Sequence, residues 1–307
     1  MQVVSINRVR ILFLILTALI SFLFVGLDAQ RIAEGDTGYV GIDVCKACHQ
    51  DKYDNFIKSV HGKKAIPGSP ANREACESCH GPGAAHVEKG VGIFAFGRKI
   101  EAKEKSSRCL SCHEGSRASA FWNLSKHVCA GVSCEGCHSI HSGSEKYLKG
   151  REPSLCFDCH RDIRAQANKQ AHHPIIEERM KCSSCHNPMG SFGPKMIRAD
   201  SFNDLCYMCH SERRGPFMWE HPPVEESCLN CHVPHGSNHT NLLARKPPTL
   251  CQSCHDVTGH PSSPYTSFNS FGGSNTSNRM IARACLNCHT NIHGSNGPSM
   301  RGSHFLR

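Results

Sequence analysis

The sequence predicts a fold of short helices and loops with little regular secondary structure, wrapped around something other than an apolar protein core. Three observations carry that reading. Only 39% of the 307 residues are hydrophobic and 7% aromatic. The chain holds 26 Gly and 16 Pro. Twenty of its 21 cysteines fall in Cys-x-x-Cys-His pentads whose first residues lie 22 to 34 positions apart. A chain this long could form two ordinary domains, but such spacings leave no room for a sheet or a long bundle between pentads.

The first five pentads are Cys45, Cys48 and His49; Cys76, Cys79 and His80; Cys109, Cys112 and His113; Cys134, Cys137 and His138; and Cys156, Cys159 and His160. The other five are Cys182, Cys185 and His186; Cys206, Cys209 and His210; Cys228, Cys231 and His232; Cys251, Cys254 and His255; and Cys285, Cys288 and His289. A zinc site or a redox dithiol also uses Cys-x-x-Cys, but neither needs a His directly after the second Cys. With 22 His in the chain, ten such neighbours arise by chance with a probability on the order of 10⁻¹². The pentads therefore read as attachment sites for ten c-type haems: two thioethers to each porphyrin, and the adjacent His as the proximal iron ligand. The fold class becomes a multihaem cytochrome c around a linear stack of ten haems. Because porphyrins supply the buried apolar surface, the haem-free chain is expected to be largely disordered.

A six-coordinate haem needs a ligand on its other face, and twelve histidines remain. The chain repeats as five di-haem units at about 45–108, 109–155, 156–205, 206–250 and 251–296, a period to settle before any finer reading. Each unit holds two pentads and two further candidates: His61 and His86, His127 and His141, His173 and Met189, His221 and His235, His260 and His293. These ten are the predicted distal ligands. His172, His239 and His304 are left over. Met189 is the odd member, three residues after His186 where His141 follows His138 and His235 follows His232. Three readings stay open at this point: Met189 binds iron and raises one potential, a spare His binds instead, or the position is vacant. Cys129, outside the pentads, reads as an inert buried thiol.

The formal charge of +9 first suggests nucleic acid or a membrane surface. Twenty propionates, offset by ten ferric cores, bring the exported chain to about −2, so nucleic-acid binding has no support. Residues 1–29 carry Arg8 and Arg10, an apolar run from Ile11 to Leu27, and Ala29. They read as a secretory signal cleaved after Ala29, with an uncleaved anchor as the alternative. Residues 30–42 form a polar lead-in, and 43–307 the haem-bearing domain with its C-terminal tail. Asp43 is placed to cap a helix running through the first pentad towards Ser59, and Asp162 to Gln170 also reads as helical. Arg98 to Lys105 reads as solvated loop, and Pro261 to Asn278 as a loop rich in Ser, Gly and Asn. Tyr207, Phe217 and Trp219 read as haem-packing neighbours.

With this pattern in place the chain resembles the decahaem conduit cytochromes of the MtrA/DmsE/PioA type. The resemblance rests on Trp219-Glu220-His221-Pro222, on Cys228-Leu229-Asn230-Cys231-His232-Val233-Pro234-His235-Gly236-Ser237, and on Cys285-Leu286-Asn287-Cys288-His289 followed by Ile292-His293-Gly294-Ser295-Asn296. It covers about Val44 to Asn296. It implies a periplasmic, outer-membrane-associated electron carrier, not an enzyme. Such a protein threads into a porin-like β-barrel and exchanges electrons with periplasmic and extracellular redox partners, in metal reduction or ferrous iron oxidation. Family members use His as distal ligands, so Met189 departs from the pattern. Two alternatives remain: a multihaem reductase with one open iron near Met189, and a membrane-anchored quinol-oxidising cytochrome.

Overall fold

The computed structural model describes residues 38–142, 145–255 and 285–306. The apolar N-terminal run, His260 and the Pro261–Asn278 loop lie outside the described residues. Among the described residues the backbone forms short helices, 3-10 turns and four isolated β-bridges, with no sheet. No described helix is long and apolar enough to cross a membrane. Two compact units are present: the residues up to Ile100 together with His138–Tyr147, and Glu101–Cys137 together with Leu148 onwards.

In the first unit the opening helix Ile42–Cys48 is followed by Gln50–Lys58, with a break at His49 (φ −120°, ψ 48°). The expected single helix capped by Asp43 is thus corrected. Gly41 is the N-cap, and Asp43 sits in the first turn, where its charge suits the free N–H groups. The reason lies elsewhere in the chain: the buried Glu77 carboxylate accepts N–H bonds from Val40 (3.0 Å) and Gly41 (2.9 Å). A third bond, from Gly83 at 2.7 Å, completes this clasp. Among the described residues the apolar cluster of this unit is small: Phe56 with Ala71 and Ala75, flanked by Ile42 and Ile140.

In the second unit the longest helix is Ala102–His113. The expected loop over Arg98 to Lys105 is therefore irregular only at its start. Lys105 is drawn into the helix by Glu135, whose Oε1 lies 2.8 Å from its Nζ. The helix expected over Asp162 to Gln170 spans Arg161–Ala167, stopped where the Asn168 amide turns back to donate to the Arg164 carbonyl at 2.7 Å. Only nine hydrophobic residues are buried among the described residues, while Val87, Leu124, Phe192, Met208 and Met218 are more than half exposed. So little buried apolar surface cannot offset the entropy of ordering a chain this long. The apolar filling has to come from bound groups. Cys129 is exposed, correcting the expectation of a buried thiol: on the four-residue helix Lys126–Cys129 the inner side is taken by His127 and Val128.

Candidate haem-attachment and ligand sites

Each pentad is one turn of helix, and that geometry is what thioether attachment needs. The N–H of His49, His80, His160, His186, His210, His232, His255 and His289 donates to the carbonyl of the first cysteine of its own pentad at 2.9–3.1 Å. Residues three apart on such a turn share a face, so both sulfurs point to one side with the imidazole next to them. The turn is tightened further where the N–H of Cys79, Cys159, Cys209, Cys231, Cys254 or Cys288 donates to the carbonyl of the first cysteine of its pentad at 3.1–3.3 Å. In the third, Cys109, Cys112 and His113 form the last turn of the helix Ala102–His113. The second cysteine is exposed at Cys48, Cys112, Cys159, Cys209, Cys254 and Cys288, and half-buried at Cys79, Cys137, Cys185 and Cys231.

The thiols also approach from one pentad to the next. Burial pushes Cys76 up to about 11, with Cys45 adding to the rise. The thiol of Cys109 donates to Cys134 and holds it down at about 6. Cys156 donates to Cys182, which raises Cys156 and lowers Cys182. Burial, then Cys228, pushes Cys206 up to about 12. Burial, then Cys285, takes Cys251 to about 11. The second cysteines meet the following pentad: burial first, and then Cys159, Cys209 and Cys254 respectively, raise Cys137, Cys185 and Cys231. Geometry brings Cys156 and Cys182 together, their sulfurs within 4.8 Å of each other and of a Glu152 carboxylate oxygen. In the first unit Cys45 and Cys76 form one link.

Seven motif histidines face a second imidazole. The ring centres of His49 and His86 are 6.4 Å apart, His80 and His141 6.4 Å, His160 and His127 6.2 Å, and His210 and His173 6.5 Å. His186 and His235 stand 6.0 Å apart, His255 and His221 6.0 Å, and His232 and His293 6.1 Å. A metal bound by both rings needs about 2 Å for each metal–nitrogen bond and about 1.1 Å from nitrogen to ring centre, roughly 6.2 Å in all. The residues present therefore fit an iron between each pair. Burial, the largest cause in each case, pushes His141, His221, His235 and His293 below the ordinary histidine range, towards the neutral form that a metal requires.

Backbone carbonyls hold these rings from behind. Nδ1 of His80, His138, His186, His232 and His289 bonds the carbonyl of Phe94 (2.7 Å), Lys146 (3.0 Å), Lys195 (3.1 Å), Asn241 (2.8 Å) and His304 (2.6 Å). Lys146, Lys195 and Asn241 each open a two-residue left-handed turn, φ 54–58° throughout, which presents the carbonyl. On the distal side, Nδ1 of His127, His173 and His221 bonds the carbonyl of Pro188 (2.8 Å), Pro234 (2.8 Å) and Ile292 (3.1 Å). Such a bond fixes the tautomer, leaves Nε2 for the metal and strengthens the donor.

The carbonyl groups that hold these distal rings come directly before Met189, His235 and His293, and a glycine follows each of those residues. Gly190, Gly236 and Gly294 have φ of 107°, 153° and 140°. A Cβ on them would lie 2.2 Å from the Phe121 carbonyl oxygen, 2.0 Å from that of Gln166 and 2.1 Å from the Phe217 ring. The β-bridges Ala171–Ser237 and Trp219–Ser295 fasten two of these slots, and Trp219 is pinned further by its Nε1–H bond to the Gly297 carbonyl at 2.7 Å. The half-buried Met189 thus stands where His235 and His293 stand.

Of the other predicted ligands, His61 packs against Tyr147 with ring centres 5.6 Å apart. Of the spare histidines, His172 has both ring nitrogens engaged, by the Lys169 carbonyl (2.6 Å) and the Glu177 carboxylate (2.9 Å). The carbonyl of His304 is the acceptor for His289. The carboxylate clasps escaped the sequence reading, although Glu77 and Glu135 each occupy the second position of a pentad. Glu152, near Cys156 and Cys182, is already committed to the N–H and Oγ–H of Ser183 at 2.8 and 2.9 Å.

The comparisons agree with the motif reading. Residues 172–215 and 221–260 match the doubled CXXCH motif model, and residues 76–152 match a model for cytochrome c-type, NrfB-like proteins. The chain is similar to the multiheme cytochrome MtrA of Shewanella baltica, 39% identical over 277 residues, covering 88% of this chain and 83% of the relative. It is also similar to the C-type polyheme cytochrome OmcB of Geobacter sulfurreducens, 26% identical across 58% of this chain and 26% of that protein. The high-molecular-weight cytochrome c of Nitratidesulfovibrio vulgaris is 22% identical across 48% of this chain and 31% of its own length. With c-type haem attachment motifs along a fold of small helices and loops, this chain belongs to the MtrA family of multihaem electron-transfer cytochromes.

Proposed function

We propose that this cytochrome is a ten-haem wire that carries electrons across the outer membrane, between the periplasm and donors or acceptors outside the cell. The observation that carries the reading is the seven pairs of facing imidazoles, with ring centres 6.0–6.5 Å apart, each spaced to hold one iron. Bound haem supplies one-electron storage at iron; the chain supplies spacing, orientation and closure. The facing imidazoles would close both sides of seven of the ten irons, so electrons could pass there while substrates could not reach the metal. The backbone carbonyls keep Nε2 aimed at the metal in either oxidation state.

In this reading every pentad holds a haem, those with second thiols Cys79 and Cys112 included. The distal ligands are His61, His86, His127, His141, His173, Met189, His221, His235, His260 and His293. The five di-haem repeats are joined by ligand exchange: His127 of the second serves the pentad at Cys156, and His235 of the fourth serves the pentad at Cys182. Residues 1–29 direct export, and the haem-bearing part works in the periplasm at the outer membrane. Ten haems at about 5 Å or more each outrun the ~30 Å hydrocarbon core. A row exposed to lipid would need insulation that no described helix offers, so a porin-like β-barrel is the expected partner. The test is reconstitution with a candidate barrel in liposomes enclosing a redox dye. External dithionite or ferric chelate changes the dye if the wire spans the bilayer. No response from a barrel–cytochrome complex of full haem content overturns the conduit while leaving the family and the haem chemistry untouched.

A further inference from the structure

We infer that Glu212 and Arg213 set two neighbouring haems apart in potential, lowering the one attached at Cys206 and raising the one attached at Cys228. The inference rests on reading the facing imidazoles as axial pairs, here His210 with His173 and His232 with His293. It adds a role for the two charged side chains that stand beside those rings.

A short path of backbone places both charges. The pentad at Cys206 ends at His210, and Ser211–Arg213 then form a 3-10 turn, closed by the Arg213 N–H on the His210 carbonyl at 3.0 Å. The turn brings its two side chains to the ligands of different irons. Oε1 of Glu212 lies 3.9 Å from Nδ1 of His210. Nη1 of Arg213 lies 3.5 Å from Nδ1 of His293. The Arg213 Nε is 3.3 Å from the same Glu212 oxygen, so the charges are held as a pair whose two ends meet different rings. Arg214 is turned away over Tyr207, 5.8 Å from the ring centre. The attachment points adjoin as well. Asn203, three residues before Cys206, accepts the Cys228 N–H at 2.8 Å and donates to the Val224 and Glu225 carbonyls at 2.9 and 3.0 Å.

Chemistry gives the sign. Nδ1 of His127, His173 and His221 meets a neutral backbone carbonyl, which strengthens the ligand. An imidazole bound through Nε2 carries its proton on Nδ1, and a guanidinium has donors only, so Arg213 cannot accept that proton. His293 therefore meets a positive charge where the other rings meet an acceptor. Ferric haem carries one more positive charge than ferrous haem, so a cation beside it favours the reduced form and an anion the oxidised form. Glu212 also reaches His293, but Arg213 acts there more strongly. One electron then passes downhill from the iron at Cys206, which becomes ferric, to the iron at Cys228, which becomes ferrous, and no bond or proton moves. Both side chains are more than half exposed, so salt weakens the effect.

The experiment uses the matured full-length cytochrome, wild type and the variants Glu212→Gln, Arg213→Gln and Arg213→Lys, followed by potentiometric titration. Arg213→Gln is expected to lower one midpoint potential, Glu212→Gln to raise a different one, and Arg213→Lys to stay near wild type. In the wild type the gap between those two potentials narrows as salt shortens the screening length from about 30 Å at 0.01 M to about 3 Å at 1 M. Potentials unmoved in both Gln variants, one haem responding to both, or a rise in Arg213→Gln overturns the inference. His293→Ala separates the two possible failures by electron paramagnetic resonance. One new high-spin ferric haem is expected, and its absence overturns the axial pair beneath the inference. Its presence, with potentials unmoved in the Gln variants, overturns the inference alone.

Discussion

Nδ1 of His173 lies 2.8 Å from the carbonyl oxygen of Pro234, the residue before His235. One backbone turn thus orients the ring facing His210 and also delivers the ring facing His186. If these pairs are axial ligands, two iron sites share one hinge, and the hinge depends on a residue without a side chain. Gly236→Ala sets a Cβ against the Gln166 carbonyl and is expected to cost about 2–4 kcal/mol. Electron paramagnetic resonance should show both haems, those at Cys182 and Cys206, losing low-spin character together. Loss at only one of them contradicts the shared hinge.

Adjacent histidines are expected to behave in opposite ways. His172 is tied to Glu177 and Lys169, whereas His173 faces His210 at 6.5 Å. His173→Ala should produce one high-spin ferric haem in ten. His172→Ala should leave the ferric spectrum and every potential as they are. Equal effects from the two variants would remove the distinction.

Glu77 is 3% exposed and accepts three backbone N–H groups. Glu77→Ala leaves those donors buried without partners and is expected to destabilise the first unit by roughly 1–3 kcal/mol. Thermal unfolding followed by circular dichroism, at unchanged haem content, measures it. A variant as stable as wild type would mean that water reaches the three N–H groups.

The pair of lysines around Glu135 predicts a pH window. Lys105 first, then Lys149, hold its carboxyl below the usual glutamate range, at 2.8 and 3.1 Å. A depressed folded pKa adds stability that is fully present above the ordinary value of 4.5 and lost as pH falls through the folded value. The pair is partly solvated, so the contribution is under about 1 kcal/mol. The difference between wild type and Glu135→Gln should be constant from pH 6 to 7 and shrink towards zero in acid, read from denaturant midpoints. A difference that grows on acidification contradicts the pairing.

Much of this was legible in the sequence, because haem attachment writes itself in contiguous residues. Cys-x-x-Cys-His is a local motif, and a helical turn is enough to shape it. The fold class followed, since a chain this poor in apolar residues has no other means of closing. Which distal ring faces which motif ring was not legible. His127 and His160 are brought together by the path of the backbone, and spacing alone gives no preference between partners before and after. The Glu77 clasp was hidden for the same reason: it joins a pentad to a segment 36 and 37 residues earlier, and that segment's helix looked capped by Asp43. Cys129 was misread because cysteine is generally a buried residue, a tendency that a four-residue helix with one inner side overrides.

The interlaced ligands also bear on how the molecule is made. A chain emerging amino end first presents His186 before His235 exists on the same side of the membrane, and His232 before His293. If haem is attached as the chain is exported, the closing ligands of those two sites would arrive later, whereas His173 and His221 precede His210 and His255. Chain order would then stagger maturation, one set of metals closing on arrival and the other waiting for the residues that follow.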